Sequence, residues 1–147
     1  MLWKRMADLL VTYKLRIAPN AIIEVNGSEM TLPITLNYTS ALVTQTIFTA
    51  SRRCKVKAIQ GRVRVAGTGG ACTIAFFKAA STVAVGSGTA LHSGSFNLVG
   101  TADANQSLTL STTASALFLA AGDSIGYVLT GTATSAVGDV TVEIAAA

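Results

Sequence analysis

A hydrolytic or acyl-transfer centre needs a base beside a nucleophile, and this chain offers a single imidazole, His92. It stands in the small-residue string Gly88-Thr-Ala-Leu-His-Ser-Gly94, and no serine has a Gly-x-Ser-x-Gly elbow around it. That context reads as a surface or turn histidine. Paired carboxylates could cleave a glycosidic bond if two of them were held in contrasting environments. The acids are Asp8, Glu24, Glu29, Asp103, Asp123, Asp139 and Glu143, scattered among turns and strand ends, where aspartate favours the turn itself. Cys54 and Cys72 have no Cys-x-x-Cys or His-x-x-x-His companion, so no zinc pattern forms. Both fall in strand-like segments and read as small apolar core residues. A disulfide is not the default for a chain without an export signal. Gly67-Thr-Gly-Gly70 lacks the Lys-Ser/Thr and the strand–loop–helix setting of a phosphate loop and reads as a hairpin connection. These residues point to no enzyme, no cofactor and no metal.

The one strong local feature is a basic band. Arg52, Arg53, Lys55, Lys57, Arg62, Arg64 and Lys78 fall within residues 52–78, which hold no acid. Residues 79–147 hold Asp103, Asp123, Asp139 and Glu143 with no Lys or Arg, and the net charge of the chain is +4. Such a split presents opposite potentials on different parts of one surface, or on neighbouring subunits. Nucleic-acid binding sets aromatic rings among the cations for base stacking, and residues 52–64 contain none. That argues against a nucleic-acid partner. Two readings stay open: a solvated strand face whose charges discourage edge pairing, and a contact with an acidic protein.

The elements that must position these groups are strands. Of 147 residues, 50% are apolar and 12% are charged, against a charged share of about 25% in an average chain. No apolar run approaches the roughly 20 residues of a membrane helix. Residues 1–8 hold Trp3, Lys4, Arg5 and Asp8 and lack the apolar stretch of a secretory signal. A surface so poor in charge suits a subunit packed within an assembly. Residues 10–17 alternate, with Val11, Tyr13, Leu15 and Ile17 on one face. Residues 22–25 and 28–32 read as a hairpin across Asn26-Gly27, and Pro33 as a break in the ladder. Strands are expected at 34–38, 45–50, 54–66, 71–79, 83–85, 95–99, 107–110, 124–130 and 137–144. The last two would pair across residues 131–136, and 71–79 would be central and covered on both sides. In 54–66, Lys55 and Lys57 have one parity and Arg62 and Arg64 the other. A one-residue slip at Gln60-Gly61 would put all four in solvent. The pattern predicts an all-β antiparallel β-sandwich or jelly roll with an N-terminal arm or hairpin extension. Residues 1–33 form the arm and hairpin, and 34–147 the sandwich domain.

Several strings carry a resemblance. Residues 53–67 (Arg-Cys-Lys-Val-Lys-Ala-Ile-Gln-Gly-Arg-Val-Arg-Val-Ala-Gly), the Gly88–Gly94 string, residues 98–106 and the string Leu117-Phe-Leu-Ala-Ala-Gly-Asp-Ser-Ile-Gly126 resemble tailed-bacteriophage structural proteins. The kind they resemble is the capsid decoration, or cement, protein; the last string also looks like part of trimeric C1q/tumour-necrosis-factor-like jelly rolls. The resemblance implies a homotrimer made in the host cytoplasm and bound to the outside of the virion, bridging copies of the major capsid protein, with no membrane contact. A trimeric fibre tip that binds a receptor or glycan is the alternative. The residues expected to contact the capsid or a neighbouring subunit are Leu2, Trp3, Lys4 and Arg5 on the arm. On the band they are Arg52, Arg53, Lys55, Lys57, Arg62 and Arg64.

Overall fold

The computed structural model of the chain describes residues 24–25, 28–39 and 42–147. The expected strand at 10–17, the turn residues Asn26-Gly27 and the arm residues Leu2, Trp3, Lys4 and Arg5 lie outside them. Where β-branched and aromatic residues alternate with small or polar ones, strands form. The first two are β1 (Glu24–Val25) and β2 (Ser28–Glu29), paired antiparallel as a hairpin. The main strands are β3 (Thr31–Tyr38), β4 (Gln45–Thr49), β5 (Cys54–Val65), β7 (Thr73–Ala79), β12 (Ser124–Thr130) and β14 (Val137–Ala146). Short pieces complete the set: β6 (Thr68–Gly69), β8 (Thr89–Ala90), β9 (Phe96–Asn97), β10 (Asn105–Ser107), β11 (Phe118–Leu119) and β13 (Ala133–Thr134). A single helical turn, α1 (Ala114–Leu117), leads into β11.

Two sheets face each other. One runs β10-β5-β14-β3, with β11 also on β5; the other runs β4-β12-β7-β8, with β9 also on β7. Counting β8/β9 and β10/β11 as two interrupted strands gives eight strand positions, ordered 6-3-8-1 in one sheet and 2-7-4-5 in the other. That is the double Greek key of a jelly roll. The chain is therefore an all-β antiparallel sandwich. Its core is filled from both inner faces by Val56, Ile59, Val63, Ile74, Phe76, Phe96, Ile125, Tyr127, Val140 and Val142, with Cys54 and Cys72 buried among them as free thiols.

The slip in β5 is real but sits elsewhere than expected. Cys54 and Val56 are buried with one parity, Ile59 and Val63 with the other. The ladder to β14 shifts between Glu143, opposite Ala58, and Ile144, opposite Val56, so the extra residue is Lys57 rather than Gln60 or Gly61. A second shift follows at Arg64. Gly61 serves the packing instead. It faces inward under the Phe96 ring, where an added Cβ would strike the Asp139 carbonyl oxygen and lie 2.9 Å from the ring.

Other expectations change for non-local reasons. Pro33 does not break the ladder; it lies within β3 opposite Glu143, and β3 is an edge strand, where one side has no ladder to lose. The 67–70 string is not a hairpin connection, because β5 and β7 belong to opposite sheets and Thr68–Gly69 pairs with Ala133–Thr134 instead. For the same reason β12 and β14 are not a pair: β12 lies between β4 and β7, and β14 between β5 and β3. Residues 83–85 are not a strand; Val85–Ser87 is a turn of 3-10 helix, and Val85 packs onto Gly126, covering part of the outer face of its sheet. β7 is central but only half covered on that side, since Thr73, Ala75 and Phe77 stay partly exposed.

Tyr38 packs edge-on against Phe96 at 6.2 Å, and its hydroxyl fills the space a side chain at Gly138 would need. Among the described residues that hydroxyl has no hydrogen-bond partner. Burial, followed by the neighbouring Asp139, pushes the phenol up to about 12 against the pull of Arg64. An unpaired buried hydroxyl contributes no net bond, so Tyr38→Phe is expected to leave stability within about 0.5 kcal/mol of the parent, or to raise it. Gly61→Ala, by contrast, is expected to lose about 1–3 kcal/mol through overpacking. Denaturant unfolding of the two variants checks both.

Candidate functional site

His92 is not a surface residue. It is 6% exposed, and what buries it is a gap in the sheet. Along β7, Lys78 and Phe77 pair with Thr89 and Ala90, and the Leu91 N–H donates to the Phe76 carbonyl at 3.0 Å. The chain then leaves: Ser93 N–H and Ser111 N–H bond to Thr109 and Leu91 carbonyls, both at 2.9 Å, tying 91–93 to 109–111. Pairing with β7 resumes only at Phe96 and Asn97. The Phe76 N–H, left without a backbone acceptor, donates to His92 Nε2 at 2.8 Å. Nε2 must then be bare, so Nδ1 carries the proton and faces the Ser93 carbonyl at 3.2 Å. The ring sits edge-on to Phe76 at 6.1 Å. Desolvation lowers the pKa of His92, while the carbonyls of Ser93 and Gly94 act the other way. Both ring nitrogens are occupied by backbone, so the imidazole works as a piece of sheet and has no nitrogen free to take a proton from a nucleophile.

The basic band divides. Arg62 and Arg64 are exposed on the outer face of β5 and meet acids of the same chain: Arg62 Nη2 lies 3.1 Å from Asp103 Oδ1, and Arg64 Nε 3.8 Å from Asp139 Oδ1. The turn at 101–104 delivers Asp103, because the Asp103 N–H donates to the Val63 carbonyl at 2.6 Å and the Ala104 carbonyl accepts from Val63. Gln60 Nε2 likewise donates to Glu143 Oε1 at 3.3 Å. Of the two arrangements the charge split allows, Asp103 and Asp139 of the acidic C-terminal part meet the band within one chain. The two ion pairs are open to solvent and worth little stability; what they do is neutralise.

The other half gathers at one end of the sandwich. Arg53 and Lys55 lie over the Phe118 ring, 5.1 and 5.2 Å from its centroid, which follows from Phe118 standing opposite Lys55 in the β11–β5 ladder. Lys78 reaches across from the second sheet and donates to the carbonyls of Ser115 and Phe118 at 2.8 and 3.0 Å, closing the C-terminal end of α1. Arg52 and Lys57 are exposed beside them. Phe118 and Lys78 were not among the residues expected here. Phe118 is far from Arg53 and Lys55 in sequence, and only the ladder brings the three together.

The described residues contain no group of three or more His, Cys, Asp or Glu able to hold a metal. Burial pushes the Cys54 thiol up, which keeps it protonated and inert. Two shallow concavities of about 140 and 160 Å³ lie along Thr39 and Leu42, below the roughly 300 Å³ at which small-molecule sites begin. No described helix is long and apolar enough to cross a membrane.

No protein-family model matches the chain, and no curated protein does. Among solved structures, it is similar to a chain of the cyanophage Pam1 capsid asymmetric unit (14% identity, TM-score 0.46, covering 90% of this chain and 96% of that one). It is similar also to a chain of the Ralstonia phage GP4 capsid (15%, TM-score 0.48, covering 91% and 94%). A third likeness is to a structure described as Bacillus endospore appendages forming disulfide-linked pili (16%, TM-score 0.33, covering 78% and 84%). Superpositions and identities this low leave the functional reading to the chain's own residues.

The buried imidazole makes stability pH-dependent with a definite sign. Its folded pKa lies below the ordinary value of 6.5, so the unfolded chain takes up the proton first. Its contribution is complete above that value and is lost as the pH falls through the folded pKa. Unfolding free energy is expected to fall between about pH 7.5 and pH 5 in the parent and to stay flat over that window in His92→Gln. His92→Ala, which strands the Phe76 N–H, is expected to lose about 1–3 kcal/mol at neutral pH. Urea titrations at the two pH values decide both.

Proposed function

We propose that the chain is a non-enzymatic structural component of a phage virion, a decoration protein that sits as a homotrimer on the outer surface of the head and bridges copies of the major capsid protein. The observation that carries this reading is the way charge is used. The single imidazole is committed to the sheet, and Asp103, Asp139, Glu143 and Asp123 are engaged by Arg62, Arg64, Gln60 and the Ala120 N–H. What stays exposed is a β surface low in charge with cations concentrated at one end. That composition suits a subunit surrounded by neighbours, and the strings that resemble decoration proteins point the same way. In this reading the chain ahead of β3 forms a tether, with Leu2, Trp3, Lys4 and Arg5 as its contacts, and the sandwich, which β3 begins at Thr31 rather than at residue 34, forms the body that the basic band helps to dock. A glycan-binding fibre tip draws less support, because Tyr38, Tyr127, Phe76 and Phe96 are core residues and sugar contact needs exposed rings.

The expected outcome in solution is a trimer by light scattering that co-sediments with empty heads and not with free capsid protein. A chain that stays monomeric and ignores heads ends the reading. Deleting residues 1–20 separates tether from body: loss of head binding by an intact trimer makes the arm the anchor, and unchanged binding moves the contact to the band.

A further inference from the structure

The cations of the band differ in what already faces them. Arg62 and Arg64 each have a carboxylate of the same chain. Among the described residues no ion pair involves Arg52, Arg53 or Lys55, and Asp123, which the Ala50 N–H ties to this end of the chain, accepts from the Ala120 N–H at 2.9 Å. These three cations share one end of the sandwich with Lys78, whose ammonium is fixed to the Ser115 and Phe118 carbonyls. Arg53 and Lys55 thus lie over one half-buried ring, Phe118, whose carbonyl holds Lys78 from the second sheet, and Arg52 is exposed next to Arg53 in the chain.

Three kinds of partner could answer such a surface. A nucleic acid would need a ring to stack on, and the Phe118 ring is already engaged by the Arg53 guanidinium and the Lys55 ammonium. A second copy of this chain would need spare carboxylates, and Asp103 and Asp139 already face cations of the same chain, while Glu143 and Asp123 accept from Gln60 and the Ala120 N–H. A foreign protein surface rich in Asp and Glu needs neither condition. Arginine in particular suits it, because a guanidinium gives up its hydration readily and binds carboxylates in bidentate fashion.

We propose that the end of the sandwich formed by residues 51–53, α1–β11 and the C-terminal end of β7 is a docking surface for an acidic protein partner. Arg52, Arg53 and Lys55 make the contact, Phe118 and Lys78 hold the cations in place, and Arg62 and Arg64 lie outside the surface. Identifying that partner as a capsid shell rests on the function proposed above; the surface itself does not.

The first probe is a poly-glutamate peptide of about 20 residues, titrated against the full chain in about 50 mM salt, where exposed charges are weakly screened. Binding is expected to weaken about tenfold in the triple variant Arg52→Gln, Arg53→Gln, Lys55→Gln, and by less than about twofold in Arg62→Gln, Arg64→Gln. Equal losses in both variants, no loss in the triple variant, or no binding by the parent overturns the proposal. Tighter binding of an oligothymidylate of equal length than of the peptide overturns the choice of partner. Arg52→Gln alone, on an exposed side chain, is expected to weaken binding about twofold and keeps the test intact if the triple variant does not fold. The same variants are then sedimented with empty heads, where the same ranking is expected. A parent chain that binds the peptide but not the heads refutes the decoration reading and leaves the acidic docking surface standing.

Discussion

The pairing of β5 with β14 sets which groups of this molecule face the core and which face water. β5 carries Lys55 and Lys57 with one parity and Arg62 and Arg64 with the other, and it begins at the buried Cys54. Unbroken alternation would drive one of the two pairs into the sandwich, and a buried cation without a partner costs several kcal/mol. The extra residue at Lys57 removes the conflict: apolar side chains before and after it, Val56 and Ile59, both reach the core. The same shift carries Arg62 and Arg64 to the outer face beside Asp139 of β14 and the turn that holds Asp103, while Lys55 stays opposite Phe118. The register thus separates Arg62 and Arg64, each facing an acid of the same chain, from Lys55, which faces the Phe118 ring.

His92 answers a second constraint of the same kind. The jelly roll requires the chain to leave β7 after Leu91 and tie itself to 109–111, which strands an N–H in the middle of an interior strand. An imidazole with its proton on Nδ1 supplies the missing acceptor at nearly the position a carbonyl would hold. Glutamine or asparagine could accept the same bond but would bury a further amide N–H pair needing partners. The flat ring also packs edge-on to Phe76, so it closes the core as well as the ladder.

Where the sequence was legible, the signal was local. The alternation in 73–79, 124–130 and 137–144 marks strands that form within two residues of the expected bounds, and the opposing parities of the two Lys and the two Arg demand a slip somewhere in 54–65. Partner choice was not legible. A short stretch such as 131–136 looks like a hairpin whether its flanking strands pair or cross between sheets, and here they cross. The position of the slip was hidden for a similar reason: Gln60-Gly61 has bulge chemistry, but Gly61 is needed small under Phe96, a contact 35 positions away. Small neighbours made His92 look exposed, and the demand that buries it comes from Phe76. The contact of Phe118 with Arg53 and Lys55 is another product of the ladder alone.

The scarcity of charge then has a structural counterpart. On the outer faces, strands are tied side to side by hydroxyl pairs: Thr35 with Thr141 at 3.2 Å, Thr49 with Ser124 at 3.0 Å, and Thr68 with Thr134 at 2.7 Å. Such pairs satisfy polar groups and support the ladder without placing charge there. A surface of this kind is readily covered by another protein, since little ionic hydration has to be removed, whereas burying a charged face requires a matched partner for each ion. Apolar side chains extend the same logic at one end, where Met30 and Leu32 are 58% and 59% exposed. Against so neutral a background a few unneutralised cations dominate the long-range field, and they orient an approaching partner more than they hold it. Uncharged faces for close packing and one positive end for orientation are two separable parts of an interface, and in this chain the β5–β14 register is what keeps them apart.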